Sequence, residues 1–101
     1  MEKLPVICTL GSSALAARRA GLLSDLLRRA SDREDRPDGC RLRFGAESDT
    51  LTAIVRTVDA ERQCCRFLQF QITVEPDGGP IWLELTGPPG TGEFLSALLE
   101  P

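Results

Sequence analysis

Apolar residues fall on alternate positions between Leu4 and Leu10, which places Leu4, Val6, Cys8 and Leu10 on one face of a predicted strand. Ser12 or Ser13 then caps a predicted helix to about Ala30, with Leu15, Leu22, Leu23, Leu26 and Leu27 as its apolar stripe. Ser31 to Gly39, SDREDRPDG, is charged and turn-rich and reads as a solvated loop. Alternation returns at Cys40, Leu42 and Phe44, with Arg41 and Arg43 facing outward. Ser48 caps a second predicted helix to about Cys65, in which Leu51, Ile54, Val55, Val58 and Cys65 share a phase.

From Phe67 the period switches to two. Leu68, Phe70, Ile72 and Val74 face one way, and Gln69, Gln71, Thr73 and Glu75 the other. Pro76 to Pro80, PDGGP, reads as a hairpin turn. The return strand buries Ile81, Leu83 and Leu85 and turns Trp82, Glu84 and Thr86 outward. A short last helix carries Phe94, Leu95, Leu98 and Leu99. The predicted fold is α+β, one domain over residues 1–101 in the order β-α-β-α-β-β-α. Its sheet is four-stranded and mostly antiparallel, with helices on one face.

The segment Gly87–Phe94, GPPGTGEF, has the glycine spacing of a phosphate-binding loop. Glu93 and Phe94 stand where that loop needs a Lys and a hydroxyl, so the groups that hold phosphate and Mg²⁺ are missing. It reads as a turn with a helix start, Thr91 being the expected cap.

Composition narrows the chemistry. A net charge of −3 gives no electrostatic reason to expect nucleic acid or an anionic membrane as partner. No apolar stretch reaches the length of a bilayer span, and MEKLPVICTL lacks the pattern of a signal peptide, so the cytoplasm is the expected compartment. There is no His and no Tyr, which removes the commonest general base and the commonest nitrogen ligand.

Four cysteines remain: Cys8, Cys40, Cys64 and Cys65. Each also reads as a small core residue, because free Cys is among the most buried types. The adjacent pair in ERQCC, where helix gives way to strand, is the strongest functional signal. Cys65 shares the inward face of the helix, and Cys64 is turned about 100° from it. Three thiolates without His suit soft ions such as Zn(II), Cu(I), Hg(II) or As(III). Glu61 lies one turn earlier and reads as an acid–base partner or supporting group of the thiols, or as a solvated carboxylate on the helix face, the ordinary place for Glu. Arg62 and Arg66 flank the pair and would lower a thiol pKa within their reach.

Trp82 lies on the face opposite the core, among Gln71, Thr73 and Glu84. It reads as an interface residue, the partner being a second copy in a homodimer, or as a ring lying flat over the next strand.

The ICTL start, ERQCCRFLQFQITVEP and GGPIWLELTGPPGTGEF together resemble a family of short uncharacterised bacterial proteins. Its motifs are Cys-Thr-Leu, Glu-x-x-Cys-Cys-x-Phe-Leu and Gly-Gly-Pro-Ile-Trp-Leu-x-Leu-Thr-Gly. The resemblance implies that Cys8, Glu61, Cys64, Cys65 and Trp82 belong to the shared motif and that Cys40 does not. The leading expectation is a soft-metal or metalloid binding protein with Cys64, Cys65 and Cys8 as ligands. Two alternatives stay open: a thiol redox protein with Cys8 as resolving partner, and a non-enzymatic interaction module with structural cysteines.

Overall fold

A computed structural model describes residue 21 and residues 23–99. Helix α1 covers residues 23–29, followed by β1 (Asp32–Arg36), β2 (Gly39–Phe44), α2 (Thr50–Cys64), β3 (Gln69–Val74), β4 (Ile81–Thr86) and α3 (Thr91–Leu99). The strands form one antiparallel sheet in the order β1-β2-β4-β3, so the fold is α+β, as the pattern predicted. The predicted strand Leu4–Leu10 and the start of the first helix lie outside the described residues.

The three later strands follow the alternation of their residues. Leu42 pairs with Leu83, and Leu83 with Ile72, so all three share a face. Cys40, Leu42, Phe44, Ile81, Leu83 and Leu85 are buried in one cluster with Leu23, Leu26 and Leu27 of α1, Ile54 of α2 and Leu95 of α3. The described helices therefore cover one side of the sheet. None of them is long and apolar enough to cross a membrane.

β1 overturns the loop reading of Ser31 to Gly39. Its residues are DREDR, with no apolar position to reveal a strand, yet they pair in unbroken register with β2 across a turn at Pro37 and Asp38. An edge strand needs ladder hydrogen bonds more than a buried face, and its charges guard the edge against further pairing. Arg36 holds Glu34 at 3.1 Å and reaches over β2 to Glu84 on β4 at 2.6 Å. It crosses where its register partner Gly39 has no side chain.

The return hairpin is built as its residues demand. Asp77 and Gly78 both have positive φ, 57° and 69°, and Gly79 N–H donates to the Pro76 carbonyl at 3.1 Å. Two successive left-handed residues match the right-handed twist of the strands they join.

α2 begins at Thr50 with Asp49 as N-cap, one residue beyond the expected Ser48. Its buried face is also turned from the expected one. Leu51 and Val55 are exposed, while Thr50, Ile54, Thr57 and Glu61 form the buried line. Thr57 tolerates burial because its hydroxyl donates to the Ala53 carbonyl at 2.9 Å.

The GPPGTGEF segment is the end of β4, a turn and the first turn of α3. Thr91 is fully buried, and its hydroxyl donates back to the Pro88 carbonyl at 2.7 Å rather than capping a helix N–H. Gly92 packs against the β1–β2 turn, where its N–H donates to the Pro37 carbonyl at 3.2 Å. A Cβ there would strike the carbonyl oxygens of Arg36 and Pro37. Gly92→Ala should therefore cost about 2–3 kcal/mol in urea unfolding, in the range of overpacking against fixed backbone. Gly21 has open space around it, so Gly21→Ala should be neutral or stabilise by up to about 1 kcal/mol.

Candidate functional site

Glu61 and Cys65 are brought together at the C-terminal end of α2. Four residues apart on a helix place side chains one above the other on the same face. Cys65 is the C-cap, and its backbone N–H still reaches the Glu61 carbonyl at 2.6 Å, so the helical spacing holds one residue past Cys64. Its side chain follows: the Cys65 thiol donates to Glu61 Oε2 at 3.4 Å. The next hydrogen bond, from Leu68 N–H to the Cys65 carbonyl at 3.0 Å, turns the chain toward β3. Edge-to-face packing of Phe67 on Phe94, at 5.1 Å and 84°, fixes that turn against α3.

Both partners are out of water. Cys65 is 1% exposed and Glu61 0%, which excludes the solvated helix-face reading of Glu61. Both also take part in interactions beyond this contact. Carboxylates are rarely buried to this degree, because desolvating one costs several kcal/mol before any partner repays it. The sequence signal was present in the spacing Thr50, Ile54, Thr57, Glu61, which only makes sense as a buried face once the threonine hydroxyls are satisfied within the helix.

Cys64 is the last residue of α2, directly beside the pair in the chain. Cys8 lies outside the described residues. Arg62 faces solvent and is held by Asp59 at 2.9 Å, and Arg66 is exposed. Among the described residues, no three or more Cys, Asp or Glu side chains gather as a metal site.

Cys40 behaves differently from Cys65. It is 2% exposed on β2, and its thiol is pushed up to about 11, first by burial, then by the charge of Asp35, with Arg33 opposing. At pH 8 it holds about 100-fold less thiolate than a thiol at 9.0. Native Cys40 should resist iodoacetamide at pH 8 while the urea-unfolded chain labels fully, as read by peptide mass. Between pH 9 and about 11 the unfolded chain loses this proton and the native chain keeps it, so stability falls as pH rises through that window.

Trp82 lies on the sheet face opposite the core, between Arg43 and Thr73 in register. It is half-buried, with the Arg41 guanidinium 4.0 Å from the ring centroid and that of Arg43 at 6.0 Å. The Arg41 guanidinium from the neighbouring strand β2 thus sits over the ring, a cation–π arrangement made within the chain.

No protein family, curated protein or solved structure matches this chain.

Proposed function

We propose that this chain is a small cytoplasmic protein that binds a soft metal or metalloid ion through Cys64 and Cys65, with Cys8 as third thiolate. The observation that carries the reading is the fully buried contact between the Cys65 thiol and Glu61. A packed cysteine needs no carboxylate beside it, and burying a carboxylate is costly. A ligand thiol gains an acceptor that fixes its rotamer.

Thiolates without imidazole favour Zn(II), Cu(I), Hg(II) or As(III) over hard cations. Binding exchanges each thiol proton for the ion, so it strengthens as pH rises and releases protons to the medium. A carrier, sensor or detoxification accessory is the matching role. Cys40 stays outside the site, since it sits on β2 in the apolar cluster with Leu42, Phe44 and Leu85.

The test is elemental analysis of protein purified under reducing conditions without chelator, followed by titration with Zn(II) and Hg(II). One tightly bound equivalent is expected. Protein that takes up neither ion stoichiometrically ends this reading and leaves the cysteines as core or redox groups.

A further inference from the structure

We propose that the edge of β3 pairs with the same edge of a second copy of this chain, joining two sheets across a two-fold axis. The proposal is independent of the metal reading and uses the sheet edge, not the face that carries Trp82.

The two edges of the sheet are finished differently. β1 closes one with DREDR, charged at every position. β3 closes the other with QFQITV, which has no charge, Pro or Gly. An uncharged edge of this length is a template for pairing and is ordinarily blunted or covered. No strand lies beyond β3 among the described residues.

Hydrogen-bond parity defines what β3 offers. Glu75 N–H donates to the Pro80 carbonyl at 3.2 Å, extending the β3–β4 register by one pair. Bonded pairs alternate along an antiparallel ladder, so Gln71 and Thr73 bond to β4, while Phe70, Ile72 and Val74 turn N–H and C=O to the edge. Their side chains lie on the helical side, Phe70 and Ile72 half-buried and Val74 56% exposed. α2 extends this apolar margin. α1 packs on the Ala53 and Thr57 side of α2, across a cleft that Asp25, Leu26 and Arg29 also line. At 100° per residue, Leu51 and Val55 fall on the opposite flank, where both are exposed.

A second β3 satisfies these features together. Antiparallel pairing about Ile72 sets Ile72 against its own copy and Phe70 against Val74 on the helical side. Gln71 then meets Thr73 on the open face, and the edge-facing residues exchange backbone hydrogen bonds with one another. A two-fold at Gln71 also keeps the faces matched, but it sets Val74 against Leu68, which is buried ahead of the strand. Charge agrees with the antiparallel arrangement. Arg66 precedes the strand and Glu75 follows it, both exposed, so opposite charges approach, where parallel pairing would bring like charges together.

Analytical ultracentrifugation of the full-length chain over a range of concentrations tests this, and wild type should be dimeric. Val74→Lys puts a charge on the edge at a position already exposed, so its fold should survive. Association should weaken by about 30-fold or more, the loss expected at an interface anchor. Val74→Ala keeps the backbone bonds, adds no charge and should stay dimeric. Amide hydrogen exchange should be slow at Phe70, Ile72 and Val74 in the dimer and fast in Val74→Lys, with Gln71 and Thr73 protected in both. Exchange in wild type above and below its dissociation concentration reads the same contrast should the lysine variant fail to fold. A folded Val74→Lys of unchanged mass, or exchange at the three edge amides that ignores dimerisation, overturns the proposal. Monomeric wild type overturns it too, and slow edge amides in that monomer would give the edge to the predicted strand Leu4–Leu10 of the same chain.

Discussion

Cys64→Ala and Cys65→Ala are each expected to abolish one-equivalent binding of Zn(II) and Hg(II), while Cys8→Ala weakens it and Cys40→Ala leaves it intact. Serine variants separate ligand from packing residue. Cys65→Ser keeps an O–H donor beside Glu61 Oε2, where the thiol now donates, so its fold should survive. It nevertheless lacks a thiolate and should bind as poorly as Cys65→Ala. At Cys40 the order reverses: a serine hydroxyl in the apolar cluster should cost about 1–3 kcal/mol more than alanine costs. Metal titration of each variant, after circular dichroism has confirmed its fold, reads both effects. Retained one-equivalent binding in Cys65→Ser would place that thiol in the core and outside the site.

The parts of the fold that were legible in the sequence share one property, a strand with a single buried face. β2 and β4 bury every second residue against three helices, so Cys40, Leu42 and Phe44 and then Ile81, Leu83 and Leu85 announce themselves. β1 has no such face. Its charged residues are held by register to β2 and by ion pairs such as Arg33 with Asp35 at 2.9 Å, and period-two hydrophobicity cannot detect either. α2 was legible as a helix but not in its phase. Reading hydrophobicity alone put Leu51 and Val55 inside, whereas the buried line uses Thr50 and Thr57, whose hydroxyls bond to Glu47 and the Ala53 carbonyl.

That shift of phase carries the candidate site with it. If Leu51 and Val55 marked the buried centre of α2, Glu61 would lie toward the helix flank and into solvent, which is how a carboxylate is ordinarily read. Turning the helix by one residue puts Glu61 at the centre of the buried face, beneath Cys65. The vicinal cysteines were conspicuous as letters; the carboxylate that gives one of them a chemical context was visible only through the packing of two threonines.

Leu83→Ala should destabilise the fold more than Gly92→Ala or any of the cysteine replacements. Leu83 is fully buried in β4, and its register partners Leu42 and Ile72 lie on either side of it on the face beneath the helices. Removing the side chain loses its transfer free energy and leaves a cavity that two paired strands cannot close, at about 3–5 kcal/mol. Against a total stability of about 5–15 kcal/mol for a domain of this kind, that is a large share. The midpoint of thermal unfolding should fall by roughly 12–40 °C, at about 4–8 °C per kcal/mol for a chain of this size. Val74→Ala is the control, since Val74 takes the same face of edge strand β3 but is 56% exposed. It should change stability by less than about 1 kcal/mol. Urea unfolding followed by circular dichroism measures both, with an unchanged slope showing that the native state alone was altered. Equal losses at the two positions would mean that β4 is not the central strand under the helices, and the register that places Leu83 between Leu42 and Ile72 would have to be abandoned.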